Sequence, residues 1–60
     1  MVLTQLEKVM GERKISAEEL AAKTLMSVRS VENAKKGKGV SLNTGKRISH
    51  GLKMKLDELL

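Results

Sequence analysis

Ser16 and Ser27 each stand directly before a short run with the apolar spacing of a helix. So little chain separates them that one short helix and a tight turn must fill the gap. The stretch reads I-S-A-E-E-L-A-A-K-T-L-M-S-V-R-S-V-E-N-A-K-K-G, from Ile15 to Gly37. Ser16 and Glu19 have the S-x-x-E spacing of a capping box, in which each side chain satisfies a free backbone N–H of the other. Ile15 before the cap and Leu20 after it have the spacing of a hydrophobic staple. Leu20, Ala21 and Thr24 fall on one helical face, and Val31 and Ala34 on one face of the helix that Ser27 starts. Two capped helices of about eight residues with a three- or four-residue turn have the dimensions of a helix-turn-helix unit.

The flanks extend the helical pattern. Thr4 and Glu7 have the spacing of another capping box, opening a first helix of roughly Gln5 to Glu12. Leu3, Leu6, Val9, Met10 and Met1 supply its apolar stripe. Leu25 and Met26 occupy the turn. A left-handed residue there favours glycine, so either the turn avoids that conformation or a leucine tolerates about 1–2 kcal/mol of strain. The second helix of the pair runs from Val28 to Lys36, with Gly37 as its C-cap and Lys35 and Lys36 near the negative end of its dipole. Ser41 caps a fourth helix from Leu42 to His50, with Leu42, Gly45, Ile48 and Leu52 inward and Gly51 as its stop. Gly45 leaves either a small gap or a close helix approach. Leu56, Leu59 and Leu60 form a last helical turn that closes the core. The expected fold is all-α, a compact bundle of five short helices in a single domain spanning residues 1–60.

Composition agrees with helix and excludes several chemistries. The chain has no proline, no cysteine and no aromatic residue, and one histidine, His50. Leu, Ile, Val, Met and Ala must build the core, and neither disulfides nor a Cys- or His-cluster metal centre is available. Apolar runs are too short to span a membrane, and no signal peptide follows Met1, so the expected location is cytoplasmic. No nucleophile–base pair, metal cluster or phosphate loop points to an enzyme, and no cofactor or small-molecule ligand is expected.

The net charge of +5 is unevenly placed. From Met1 to Glu32 five basic residues balance five acids, whereas from Asn33 to Leu56 there are seven basic residues and no acid. Positive charge therefore begins where the second helix of the pair ends. Such a block suits a polyanionic partner, or else forms a solvated lysine-rich surface.

With these pieces in order, the chain resembles the Cro/repressor-type (lambda repressor-like, XRE-type) helix-turn-helix domain of bacterial and phage regulators. S-A-E-E-L-A-A-K, S-V-R-S-V-E-N, Gly37-Lys38, S-L-N-T and L-D-E-L-L carry the likeness, which holds without a gap from Ile15 to Leu60. Three departures stand out. The family usually has glycine where this chain has Leu25 and an apolar residue where it has Gly45. It often pairs a late glutamate of the recognition helix with an arginine of the first helix. Lys35 and Met10 occupy those positions here and cannot form that bridge.

The resemblance implies that the helix Val28–Lys36 enters the DNA major groove. Val28, Arg29, Ser30, Glu32 and Asn33 then face the bases. Arg29 can bond guanine O6 and N7, Asn33 adenine N6 and N7, and Val28 can pack on a thymine methyl. Glu32 either accepts from cytosine N4 or orients Arg29 or Lys36. Phosphate contacts are expected from Ser16 and Ala17 at a helix N-terminus, from Ser27, and from Lys36, Lys38, Asn43 and Lys46. Lys53 and Lys55 are expected to be solvated or near a subunit interface, and His50 to be a surface residue. Leu56, Leu59 and Leu60 either form a dimer surface or only close the core. The implied partner is double-stranded DNA with a pseudo-palindromic operator, bound by a weak homodimer completed on DNA, as for a small repressor of phage or mobile-element type. The competing readings are a protein-interaction module of the same fold, such as an antitoxin-like partner, and a basic amphipathic membrane-surface peptide. The acids of the first half and the missing Trp or Phe anchors argue against the last.

Overall fold

Helices of eight residues are too short to persist alone in water, so what holds this chain must be found at their ends and in their packing. The computed structural model describes residues Met1–Leu60 as α1 (Leu6–Arg13), α2 (Ala17–Thr24), α3 (Val28–Lys35), α4 (Leu42–Leu52) and a closing 3-10 turn, Leu56–Leu59. The fold is all-helical as expected, with four α-helices and a 3-10 turn in place of five helices. No helix is long and apolar enough to cross a membrane. α2 packs against both α3 and α4, α1 reaches α3, and the closing turn rests on α4.

Serine starts three of the four helices. The Ser16 hydroxyl accepts from the Glu19 N–H at 3.1 Å, while a Glu19 carboxylate oxygen accepts from the Ser16 N–H at 3.4 Å, completing the capping box. Ser27 accepts from the Ser30 N–H at 3.1 Å, and Ser41 from the Thr44 N–H at 3.2 Å. The first helix departs from expectation. It begins at Leu6, with Gln5 in the cap position and no side-chain cap, so the Thr4–Glu7 box does not form. The Thr4 hydroxyl donates instead to the main-chain oxygen of Leu60, and the Gln5 N–H donates to the Leu59 carbonyl at 3.0 Å. Folding brings the C-terminal turn within reach, and the hydroxyl donates to a long-range acceptor instead of accepting from the local Glu7 N–H.

Each helix stops at a residue with positive φ: Lys14 at 55°, Leu25 at 57°, Gly37 at 93° and Lys53 at 55°. After α1, α3 and α4 the chain closes with the paired backbone bonds of a Schellman motif. In α3 these run from the Gly37 N–H to Ala34 and from the Lys38 N–H to Asn33, both at 3.1 Å. α3 therefore ends one residue earlier than expected, at Lys35, with Lys36 still right-handed. α4 runs past Gly51 to Leu52, and Lys53, not the glycine, provides the stop. Behind the three non-glycine stops come Ile15, Met26 and Met54, all half-buried and packed on the core. These apolar anchors hold the left-handed residue in place.

The core is aliphatic. Leu3, Leu6, Met10, Leu20, Val31, Ile48, Leu52 and Leu59 are all but completely removed from solvent. Leu42, expected inward, is 52% exposed, and Ser49 is buried in the inward stripe, its hydroxyl donating to the Lys46 carbonyl at 2.8 Å. No buried side-chain nitrogen or oxygen lacks a hydrogen-bond partner. The Arg13 guanidinium donates to the Leu52 carbonyl, tying α1 to the end of α4. The Met1 amino group donates to the Val40 carbonyl at 2.9 Å and the Val40 N–H returns a bond to Met1 at 2.7 Å, pinning the α3–α4 loop.

Two glycines of α4 mark close contacts. At Gly45 an added Cβ would lie 3.0 Å from Met1 Sδ and 3.1 Å from Leu56 Cδ1, so side chains fill the space and no gap exists. At Gly51 it would lie 2.7 Å from Thr24 Cγ2. Thr24 is buried and its hydroxyl donates to the Leu20 carbonyl at 2.8 Å, so it cannot turn aside. Gly51→Ala should therefore lower stability by about 1–3 kcal/mol through overpacking. Thr24→Ser, which removes the methyl and keeps the hydroxyl, should restore most of that loss in the double variant, as measured by urea unfolding. Leu25→Gly should raise stability by about 1 kcal/mol in the same assay, because the left-handed strain is relieved at a side chain 88% exposed.

Candidate nucleic-acid interface

Burial of Val31 and Ala34 against α2 fixes the rotation of α3 about its axis. Val28, Arg29 and Glu32 are left exposed, with Ser30 and Asn33 half-buried at the side. Capping by Ser27 fixes where that helix begins, and its hydroxyl also shares a 2.9 Å hydrogen bond with the Ser30 hydroxyl.

Beside α3 runs an open groove of about 600 Å³. Leu25, Met26, Ser27 and Ser30 form one wall, and Asn43, Thr44, Lys46, Arg47 and His50 of α4 the other. Asn43, Arg47 and His50 follow one another at four- and three-residue steps, one face of a helix. A neighbouring depression adds Asn33 to Ser30 and Thr44 beside the pinned loop at Gly39–Ser41. The groove is lined by hydroxyls, amides and cations and contains no carboxylate. Such a lining suits an extended anion.

The opposite flank of α3 has different electrostatics. Glu7, Glu18 and Glu32 line a cleft there together with Ser16, Ala17, Lys35 and Lys36. The first N–H groups of α2 have no intrahelical acceptor and are potential phosphate donors. However, the Ser16 hydroxyl and N–H are already engaged with Glu19, and Ala17 is buried. Three carboxylates beside this helix end oppose an incoming phosphate.

The structure thus brings Ser27, Ser30, Asn43 and Lys46 together in one groove, with Asn33 next to it, and sets Ser16, Ala17 and Lys36 in a separate cleft. Lys38 is exposed on the loop between α3 and α4. Val28 and Arg29 project from α3 outside both hollows. Among the C-terminal leucines, Leu59 is wholly buried and closes the core, Leu56 is half-buried and Leu60 is 48% exposed. Thr44, Arg47 and His50 were missed as lining residues, although their spacing from Asn43 and Lys46 carried the signal.

The Cro/C1-type HTH DNA-binding domain profile matches residues 5–60. The chain belongs to that family. No curated protein and no solved structure gives a significant match. As a domain of this family the chain binds DNA, and its own geometry explains how it departs from the family pattern. Met10 is 1% exposed and packs in the core, so apolar packing stands where relatives often have an ion pair. Leu25 adopts the left-handed conformation that the usual glycine would take.

Ser27 serves the fold and lines the groove, and two substitutions separate these roles. Ser27→Ala should cost about 1 kcal/mol of stability by removing the α3 cap. Ser27→Asp should keep the cap, and so the melting temperature, while placing a carboxylate opposite Lys46 and Arg47 and weakening duplex binding. Thermal unfolding and a binding titration on the same samples check both.

Proposed function

We propose that this chain is a small sequence-specific regulator of transcription, a repressor of phage or mobile-element type, that reads duplex DNA with α3. The observation that carries the reading is the face of α3 made by exposed Arg29 and Glu32 and half-buried Asn33, lying next to a carboxylate-free groove on α4. In the proposed complex Arg29 bonds guanine O6 and N7, Asn33 bonds adenine N6 and N7, and Val28 packs on a thymine methyl. Ser30 and Glu32 adjust the fit, Glu32 by accepting from cytosine N4 or by holding Arg29.

Phosphate contacts then position the helix. Ser27, Asn43 and Lys46 grip one strand from the groove, and Lys38 adds a charge from the loop that Met1 pins. Lys36 and the α2 N-terminus at Ser16–Ala17 approach the other strand against the carboxylates of their cleft, which makes them the weaker grip. One helix contacts few base pairs, so a pseudo-palindromic operator read by two copies follows, with the exposed parts of Leu56 and Leu60 as the apolar meeting surface. Only a small area is available there, so the dimer is weak off DNA.

Selection of bound duplexes from a random pool tests the reading. An enriched inverted repeat is the expected outcome, and bulk, motif-free binding would overturn it. Arg29→Ala and Asn33→Ala should each relax preference at one base pair, at a cost of about 1–3 kcal/mol. Lys38→Ala should weaken all sequences alike and reduce the salt slope by about one.

A further inference from the structure

The α4 groove does not end at α3. Leu25, Arg47 and His50 also line a second hollow, whose remaining walls are Lys23, Thr24 and Gly51. The two hollows share those three residues, so a continuous track leads from Ser27 and Lys46, past Arg47 and His50, to Lys23 at the end of α2. The track contains no acidic side chain. It leads away from the exposed face of α3. Its lining, cationic over two helices, suits a polyphosphate backbone.

We propose that this track binds the phosphates of duplex DNA flanking the stretch read by α3, with Arg47 and Lys23 as the charged contacts and the His50 ring as a hydrogen-bond donor between them. The inference rests on the DNA-reading role of α3 and extends its footprint. Two observations support it beyond the charges. Arg47 and His50 are exposed, and their places on α4 are fixed by burial of Ile48, Ser49 and Leu52 on the opposite face. Moreover, the other flank of α3 sets Glu7, Glu18 and Glu32 against only Lys35 and Lys36, whereas the track carries cations with no carboxylate, so the α4 side is the more favourable for phosphate. Leu25, with its left-handed backbone and exposed side chain, stands at the junction of the two hollows.

Each lysine or arginine that neutralises a phosphate contributes about 0.9 to the slope of log affinity against log salt. The test compares Arg47→Ala, Arg47→Lys and Lys23→Ala with the unaltered chain on two duplexes. One has long flanks, and the other is trimmed to the base pairs covered by α3. Arg47→Ala and Lys23→Ala should each lower the slope by about one on the long duplex and leave it unchanged on the trimmed one. Affinity on the long duplex should fall on the order of tenfold at 0.1 M salt. Arg47→Lys should keep the slope. Both positions are surface sites, and unchanged melting temperatures confirm that the variants are folded.

A slope unmoved on the long duplex overturns the proposal. So does an equal drop on both duplexes, because the contact would then lie within the read site. Arg29→Ala, measured alongside, separates the two levels. Loss of base preference there with no slope change at Arg47 rejects only the extended track. Failure of the unaltered chain to bind any duplex rejects both.

Discussion

Short helices must be stopped as firmly as they are started, and in this chain the stops carry the architecture. A left-handed residue ends every helix, yet only Gly37 adopts that conformation without a steric penalty. Lys14, Leu25 and Lys53 are held there by the Ile15, Met26 and Met54 side chains that follow and dock on the core. Backbone strain of the order of 1–2 kcal/mol at each stop is offset by burial of one apolar side chain of comparable worth. Without those anchors the turns would lose their direction, and α2 could not meet α3 and α4 together.

The contact between α2 and α4 shows how a core without aromatic residues closes. There the Thr24 methyl fills the space that a side chain on Gly51 would need. Gly45 shows a similar arrangement, with the ends of Met1 and Leu56 filling the space over a bare backbone. Met1 also bonds the loop before α4 in both directions, so the lysine at 38 sits on a braced segment.

Electrostatics then divide the surface. Lys46 and Arg47 of the cationic second half line the α4 groove on one side of α3, while Glu7, Glu18 and Glu32 share the cleft on the other with Lys35 and Lys36. This asymmetry leaves one side of α3 free of carboxylates.

Much of this was legible in the residues themselves. Serine caps at 16, 27 and 41, the apolar positions of α2 and α3, and the charge division follow from contacts within one turn or from simple counting, and local chemistry decides them. The fate of Thr4 was not legible, because its hydroxyl bonds a residue at the far end of the chain. Nor was the stop of α4, where Gly51 is needed for its missing side chain against Thr24 and Lys53 turns the chain instead. Gly45, Ile48 and Leu52 keep their expected inward places, with Ser49 buried among them, while Leu42 in the first turn of α4 is left exposed. Long-range packing placed Arg47 and His50 beside Ser27, joining residues that only tertiary structure could bring to one groove.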